Sequence, residues 1–212
     1  MILKNYNIII FDFDGVIKQS AGIKTAAYKK VFRTANTKIN QKILNHHKKY
    51  QGVSRFVKIP IYANWAGFQK TKKHLKILCE FYQKYVFQKV INCPEVVGER
   101  NYLAKNYKVQ RFYLASATPH LELNKIAKKI KVKKYFKRIF GSPNNKKLII
   151  KNILNQNQSI PKNKVLFIGD SIEDFKAAMS CKISFLFRGS LKDYRNYNNL
   201  HKFHVKRIEK FE

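Results

Sequence analysis

The sequence predicts an α/β fold in which helices surround a parallel β-sheet and a helical domain is inserted after the first strand. Short apolar runs rich in β-branched residues end in polar residues or glycine, as buried strands do. They cover residues 6–13, 112–115, 165–168 and 183–187. Segments with a helical spacing of apolar residues separate the later runs, and such alternation favours a parallel sheet. Ligands bind beyond the C-terminal ends of strands in such sheets.

The segment 18–90 departs from this alternation. It is rich in lysine, has helical spacings of apolar residues and carries no clear strand pattern. We therefore predict a helical domain at 18–90, inserted into a core made of residues 1–17 and 91–212, with 94–99 as the returning linker. Its aromatic residues, Trp65 among them, are interpreted as core residues rather than ligand contacts.

The charge balance is strongly basic. The chain has 44 lysines and arginines against 12 acids, which gives a formal net charge of +32. This charge favours polyanions, and residues 128–138 hold seven basic residues in eleven, so a nucleic-acid-binding protein is one alternative. The lysines nevertheless spread along nearly the whole chain, which is typical of a compositional bias. We therefore do not expect nucleic acid to be the partner.

The cysteine and hydropathy patterns indicate a cytoplasmic protein. The three cysteines form no CxxC pair, so neither a disulfide framework nor a zinc site is predicted. The apolar run near the N-terminus is too short for a signal peptide. No apolar stretch approaches the roughly 20 residues that a membrane span requires, so no membrane partner is expected. The sequence does not indicate an oligomeric state.

The aspartates are few and clustered. Five occur, and four of them fall into two short groups, DFDGV at 12–16 and GDSIED at 169–174. Asp12 and Asp14 lie two residues apart at a strand end, where one carboxylate can attack a phosphorus atom while the other handles the proton of the leaving group. Taken alone, this pair also fits an Asx turn that ends a strand.

The second group predicts a metal site. Asp170 opens the group, and Glu173 and Asp174 fall within the first turn of a following helix. Carboxylates gathered with those of the first strand would repel one another unless a hard cation neutralised them, and oxygen ligands suit Mg²⁺. Helix capping by Asp170 or Ser171 explains the same residues and is compatible with a metal site.

A third polar position follows the run at 112–115. Ser116 is followed by Ala117, Thr118 and Pro119, which puts a hydroxyl and free backbone amides where we expect a helix to begin. Such a helix terminus binds phosphate oxygens well. An ordinary helix N-cap would have the same sequence.

Together these motifs resemble those of the haloacid dehalogenase (HAD) superfamily over most of the chain. DFDGV, the serine after an apolar strand, a lysine in GSPNNKK, and GDSIED correspond to its four motifs in order. The stretch SATPHLEL and the helical segment after the first motif are similar to the branch of phosphoglycolate phosphatases and β-phosphoglucomutases. This resemblance implies a Rossmann-like core with an inserted α-helical cap domain. The acid at Asp14, which true dehalogenases lack, points to phosphoryl transfer.

The resemblance also implies roles for the aspartates. Asp12 would form an aspartyl-phosphate, and Asp14 would protonate the leaving group and then activate water. Mg²⁺ would be held by the Asp12 carboxylate, the main-chain carbonyl of Asp14 and the Asp170 carboxylate. Asp174 would support the ion from the outer shell.

Further positions are assigned to phosphate and substrate on the same resemblance. Ser116 and Ala117 would bind the transferring phosphoryl group. The third motif offers Lys146 and Lys147, and the family's spacing after the proline favours Lys146 as the charge that neutralises the phosphate and the nucleophile. In the predicted cap, QGVSRFVK resembles the segment that reaches toward the substrate. Arg55 is preferred there to the lysines because its planar fork suits a carboxylate or a second phosphate.

The expected function is Mg²⁺-dependent hydrolysis of a small anionic phosphate monoester, a phosphorylated metabolite, by a phosphatase. A phosphomutase of the β-phosphoglucomutase type would use the same core residues, so it is an alternative. Nucleic-acid binding on a HAD-like fold is an alternative of a different class. The sequence does not identify the phosphate ester, because the cap that selects it is its least recognisable part.

Overall fold

A parallel β-sheet runs through the computed structural model, which describes residues 2–195, 197, 200, 203 and 205–211. Within these residues six strands form the sheet in the order β3-β2-β1-β4-β5-β6, and all neighbours are parallel. The strands are β1 Ile8–Phe11, β2 Arg111–Pro119, β3 Arg138–Ser142, β4 Val165–Gly169, β5 Ser184–Arg188 and β6 Lys206–Ile208. The predicted α/β class with a parallel sheet is confirmed.

Helices surround the sheet and fill the segment between its first two strands. They are α1 Ala21–Val31, α2 Thr37–Lys49, α3 Arg55–Trp65, α4 Lys72–Asn92, α5 Glu99–Asn106, α6 His120–Lys129, α7 Lys146–Asn155, α8 Ile172–Ser180 and α9 Leu191–Arg195. The segment 18–90 contains α1 to α3 and nearly all of α4. Its separation from 1–17 and 91–212 as a domain stays a prediction. Among the described residues, no helix combines the length and apolar character needed to cross a membrane.

Strand β1 is buried on both faces. Ile9 and Phe11 belong to one apolar cluster and Ile8 and Ile10 to the other, and all four side chains are fully buried. Helices therefore cover both sides of this strand, as in other parallel sheets. This double burial explains why β1 is readable from the sequence as a continuous apolar run.

Two strands were not predicted, and one runs further than expected. β3 has the sequence RIFGS and β6 has the sequence KRI, so charged residues and glycine interrupt their short apolar runs. β3 and β6 are the two edge strands of the described sheet, and each pairs with one inner strand. Packing against that neighbour determines their strand conformation more than their own sequence does. β2 continues through Ser116 to Pro119, with an irregular register against β3 after Ala115.

The strand register brings the polar motifs to one edge of the sheet. β1 lies between β2 and β4, and Phe11 is paired with Leu114 on one side and with Ile168 on the other. The residues that follow these three positions lie toward the C-terminal edge of the sheet. This is the edge where ligands bind in parallel sheets.

Aromatic rings form the interior of the helical segment. The ring of Tyr28 lies 5.1 Å from that of Tyr62 and 4.7 Å from that of Tyr82, measured between centroids. All three side chains are buried. Trp65 is only partly buried and packs against Tyr62, with ring centroids 5.5 Å apart.

A buried ion pair ties the helical segment to the rest of the chain. Arg55 at the start of α3 donates through Nη2 to Glu122 Oε2 on α6, at 2.5 Å. Both side chains are about 95% buried, with exposed fractions of 5% and 4%. The guanidinium also lies over the ring of Tyr82, 4.7 Å from its centroid. Removing one partner would leave the other charge buried and unpaired.

We expect Arg55→Ala to lower the free energy of unfolding by about 3–5 kcal/mol, because the Glu122 carboxylate is left uncompensated in a buried site. Urea denaturation of the purified variant measures this loss. The matched control is the double variant Arg55→Met/Glu122→Gln, which removes both charges and should recover most of the stability. Equal losses in the single and double variants would contradict the ion-pair explanation.

Candidate active site

Asp12 is held rigidly directly after β1. Its backbone N–H donates to Ile168 O at 2.9 Å, which extends the pairing with β4 by one residue. Its carboxylate accepts from Phe13 N at Oδ1, 2.7 Å, and faces Lys146 Nζ at Oδ2, 2.9 Å. The side chain is buried, with 4% of its surface exposed. Both oxygens are therefore fixed by contacts within the protein.

Lys146 is the lysine of GSPNNKK that reaches this carboxylate. It is the first residue of α7, whose N-cap Asn145 accepts from Leu148 N at 2.9 Å. The Lys146 side chain is buried and also pairs with Asp174, whereas Lys147 is exposed. One residue of helix turns the side chain by about 100°, so only one of two adjacent lysines can face the strand ends.

Asp174 has two functions in the fold of this edge. It forms a capping box with Ser171 at the start of α8, accepting through Oδ2 from Ser171 N at 3.2 Å and from Ser171 Oγ at 2.7 Å. Its other oxygen, Oδ1, is the one that pairs with Lys146. Capping and participation in the acidic cluster, the two readings of GDSIED, therefore coexist at one side chain.

Gly15 allows the two acidic motifs to meet. Its φ of 77° lies in the left-handed region that favours glycine. A Cβ at this position would lie 1.9 Å from Asp170 Oδ2. The glycine of DFDGV is thus required both by the backbone turn and by the close approach of Asp170.

Three carboxylates gather at this edge. Oxygens of Asp12, Asp170 and Asp174 lie within 4.8 Å of one another. Burial raises the pKa of Asp12, the charge of Lys146 opposes the rise, and Asp174 adds to it. Burial, followed by the charge of Asp12, raises the pKa of Asp170. Asp12 and Asp174 in turn raise the pKa of Lys146 against the effect of its burial.

This donor set fits a divalent hard cation. It consists of oxygens, the ligands that Mg²⁺ prefers. Among the described residues, only Lys146 forms ion pairs with any of these three carboxylates. The raised carboxyl pKa values have the same physical origin, since buried like charges resist ionisation together. A cation among them would relieve that repulsion.

Asp14 is engaged by residues that the sequence analysis did not single out. Ser20 Oγ donates to its Oδ1 at 2.5 Å, and Lys24 on α1 pairs with its Oδ2. Lys24 also donates to Thr118 Oγ1 at 2.8 Å. Burial alone would raise the pKa of Asp14, but Lys24 and Ser20 outweigh it and lower the pKa. Nothing in the sequence distinguishes Lys24 from the other lysines, which occur along nearly the whole chain.

The segment after Ser116 differs from its prediction in one respect. No helix begins directly after Ser116, because β2 continues to Pro119 and α6 begins at His120. Ser116 is buried, and its Oγ accepts from Thr118 N at 3.1 Å. The amides after Ser116 thus belong to a strand end with a local turn. Ala117 and Thr118 line the cavity described next.

A cavity of about 560 Å³, part of it open to solvent, joins the acidic edge to the helical segment. The core side contributes Asp12, Asp14, Lys146 and Asp170, and the helical side contributes Lys24, His47, Arg55 and Lys58. The buried Nη1 of Arg55 has no hydrogen-bond partner among the described residues. Carboxylates of the core side and lysine and arginine side chains of the helical side therefore line one small cavity.

Comparison with solved structures finds the same fold in other proteins. The chain is 17% identical to β-phosphoglucomutase from Clostridium difficile, with a TM-score of 0.70, over 97% of this chain and 91% of that one. It is 16% identical to a predicted phosphoglycolate phosphatase from Haemophilus somnus, with a TM-score of 0.69, over 87% and 85%. For a protein described as a HAD-hydrolase from Bacillus subtilis the identity is 13% and the TM-score 0.64, over 86% and 88%.

Family comparison covers most of the chain. No curated protein matches the sequence significantly. The family model of haloacid dehalogenase-like hydrolases matches residues 9–187, a span that contains both acidic motifs, Ser116 and Lys146. The fold, the order of the motifs and this match agree, and the resemblance inferred from the sequence is confirmed. The chain belongs to the haloacid dehalogenase-like hydrolase family and is an enzyme.

Proposed function

We propose that this protein is a Mg²⁺-dependent phosphatase that hydrolyses a small anionic phosphate monoester through an aspartyl-phosphate on Asp12. The observation that carries the proposal is the geometry of one strand end. Asp12 is fixed against Lys146, and Asp14 faces the same cavity from two residues further along. A nucleophile and a group that exchanges protons are thus placed together.

The proposed Mg²⁺ ligands are the Asp12 carboxylate, the main-chain carbonyl of Asp14 and the Asp170 carboxylate, with Asp174 in the outer shell. The three clustered carboxylates support this assignment. The related HAD-hydrolase from Bacillus subtilis was solved bound to magnesium, which supports the choice of ion. When bound, Mg²⁺ would neutralise charge on the phosphate and on the nucleophile, an effect worth several kcal/mol in the transition state.

In the first step the Asp12 carboxylate attacks phosphorus. A bond forms between the Asp12 oxygen and phosphorus as the bond from phosphorus to the alcohol oxygen breaks. Asp14 gives its proton to that departing oxygen, so the alcohol leaves neutral. Lys146 balances charge on the nucleophile and the phosphoryl oxygens. Ser116 and the backbone at Ala117 are proposed to hold the phosphoryl oxygens.

In the second step the roles of Asp14 reverse. Asp14, now a carboxylate, takes a proton from a water molecule, and the water oxygen attacks phosphorus. The bond to Asp12 breaks, inorganic phosphate leaves, and both side chains return to their starting states. One acid can serve both steps because its proton lost in the first is regained in the second.

Lys24 adds a condition to this cycle. Its contact with Asp14 lowers the pKa of that carboxyl and favours the carboxylate, which is the form needed in the second step. The first step needs the protonated acid. Lys24 lies on α1 in the predicted cap. Movement of Lys24 away from Asp14 would let that carboxyl group take up a proton before the first step.

Arg55 is proposed as a substrate-binding residue, with its Nη1 as the donor that faces the substrate.

A phosphomutase would use the same aspartates but return the phosphoryl group to its substrate. Net release of inorganic phosphate, measured without a sugar bisphosphate activator, separates the two reactions. A small phosphorylated metabolite is the proposed partner, and the cytoplasm is the proposed compartment.

We expect Asp12→Asn to lower turnover of an aryl phosphate by a factor of about 10³ or more, because an amide cannot act as the attacking group. Initial rates of phosphate release measure this loss. The matched control is Asp193→Asn at an exposed aspartate, which should keep near-normal activity. Turnover by Asp12→Asn within a factor of about two of the wild type would remove the mechanism.

Exhaustive chelation should silence the wild-type enzyme, and added Mg²⁺ should restore it, since the clustered carboxylates need a cation before an anionic ester can approach. Phosphate release before and after dialysis against EDTA checks this. Full activity after metal removal would contradict the metal assignment.

We expect Gly15→Ala to raise the Mg²⁺ concentration for half-maximal activity by about 10- to 100-fold, because the new Cβ displaces Asp170. Titration of activity with Mg²⁺ measures the shift. Gly22→Ala is the matched control, since a Cβ there meets nothing within 4 Å. An unchanged Mg²⁺ requirement in Gly15→Ala would show that Asp170 is not a ligand.

A further inference from the structure

A buried lysine and histidine face the cavity from the helical segment, and neither has a role in the chemistry above. Lys58 lies on α3 with 1% of its surface exposed, and His47 lies on α2 with 4% exposed. Lys58 Nζ lies 3.0 Å from His47 Nδ1, and both side chains line the cavity that holds Asp12 and Asp14. A buried lysine without an acid is uncommon enough to need an explanation.

Four basic side chains line this cavity, and three of them are paired with acids. The pairs are Lys24 with Asp14, Arg55 with Glu122, and Lys146 with Asp12 and Asp174. Lys58 forms no ion pair with any residue that the structure describes. Glu173, the acid whose charge acts on Lys58, is itself paired with Lys176 at 2.9 Å. Lys58 is thus the uncompensated cation of the cavity.

Lys58 also keeps a donor for a ligand. An ammonium group has three N–H donors. One is directed to His47 Nδ1 and a second to the carbonyl of Gln51 at 3.5 Å. Burial and the charge of Lys58 lower the pKa of His47 to about 3, so its ring is neutral and can accept this hydrogen bond. The third donor has no hydrogen-bond partner among the described residues, and the centroid of the Tyr28 ring lies 5.8 Å from Nζ.

We propose that Lys58, oriented by His47, binds a second anionic group of the substrate, a carboxylate or a second phosphate, while the reacting phosphate lies at Asp12. The proposal rests on the phosphatase function and names the class of ester that the enzyme prefers. Burial, with Lys24, lowers the pKa of Lys58 to about 7. An anion beside Lys58 would favour the charged form of its ammonium group and would act as its ion-pair partner.

Arg55 does not supply this charge in the same way. Its guanidinium is already neutralised by Glu122, so it adds a hydrogen-bond donor but little net attraction. Lys58 therefore discriminates by charge between an ester with a second anionic group and one that has a hydroxyl there. A charge-assisted hydrogen bond to a buried cation corresponds to about a 10- to 100-fold difference in affinity.

Calorimetric titration tests the proposed role of Lys58 in the Asp12→Asn background, where bound esters are not consumed. With Mg²⁺ present, we compare 3-phosphoglycerate with glycerol 3-phosphate, and fructose 1,6-bisphosphate with fructose 6-phosphate. The members of each pair differ in the second anionic group. We expect about a 10-fold or greater preference for the more anionic member of at least one pair. Lys58→Met should abolish that preference and leave the affinity for the less anionic member within about twofold.

Lys49→Met is the matched control. It removes one positive charge from an exposed position near the end of α2, so it should weaken all esters alike and keep the preference. Preference in neither pair, or a preference that survives Lys58→Met, would overturn the role of Lys58 while hydrolysis of phosphate esters stands. If the parent protein neither binds nor hydrolyses any phosphate ester, the phosphatase function fails and this proposal fails with it.

Thermal unfolding of the ligand-free protein separates a binding role from a structural one. A cation buried without an acid opposes folding, so Lys58→Met should raise Tm relative to the parent. If Lys58→Met lowers Tm and leaves ester preference unchanged, Lys58 is a structural residue. Should Lys58→Met fold poorly, Lys58→Gln keeps a polar group without the charge, and the same loss of preference is expected.

Discussion

Repulsion among clustered carboxylates is the constraint on which the proposed active site depends. Asp12, Asp170 and Asp174 converge because parallel strands deliver them to one edge, and Gly15 lets them approach. Among the described residues, only Lys146 forms ion pairs with two of the three. The excess negative charge favours a cation among these carboxylates and, with a cation bound, an anionic ester beside them. In the proposed function, this excess of negative charge links the fold to the binding of both the metal and the substrate.

Charge compensation continues into the helical segment, where it is selective. Arg55 is neutralised by Glu122, and Lys24 by Asp14, but no acid in the described part of the chain pairs with Lys58. A chain with 44 basic residues and 12 acids has few partners to offer, so the placement of each acid matters more than the net charge of +32. Within the cavity, an uncompensated cation near the reacting group is a means of choosing substrates by charge.

Much of the fold and of the candidate site could be predicted from the sequence, because the signals that indicate them are local. Buried strands appear as apolar runs, and Asp12, Asp170 and Lys146 stand in short motifs. Longer-range pairings leave no such signal. The Arg55–Glu122 pair depends on the packing of α3 against α6, and the contact of Lys58 with His47 depends on the packing of α3 against α2. In the sequence Lys58 is one lysine among many. The helix expected directly after Ser116 was wrong because strand pairing with β3 carries β2 on to Pro119.

The most direct measurement traps the phosphoryl group on the protein during turnover. Asp14→Asn is suited to this, because p-nitrophenolate leaves without a proton while the second step lacks its base. Acid quenching followed by peptide mass spectrometry should locate a phosphoryl group on Asp12, with a burst of p-nitrophenol equal to the enzyme present. A phosphoryl group on another residue, or p-nitrophenol release without a burst or a phosphorylated protein, would contradict attack by Asp12.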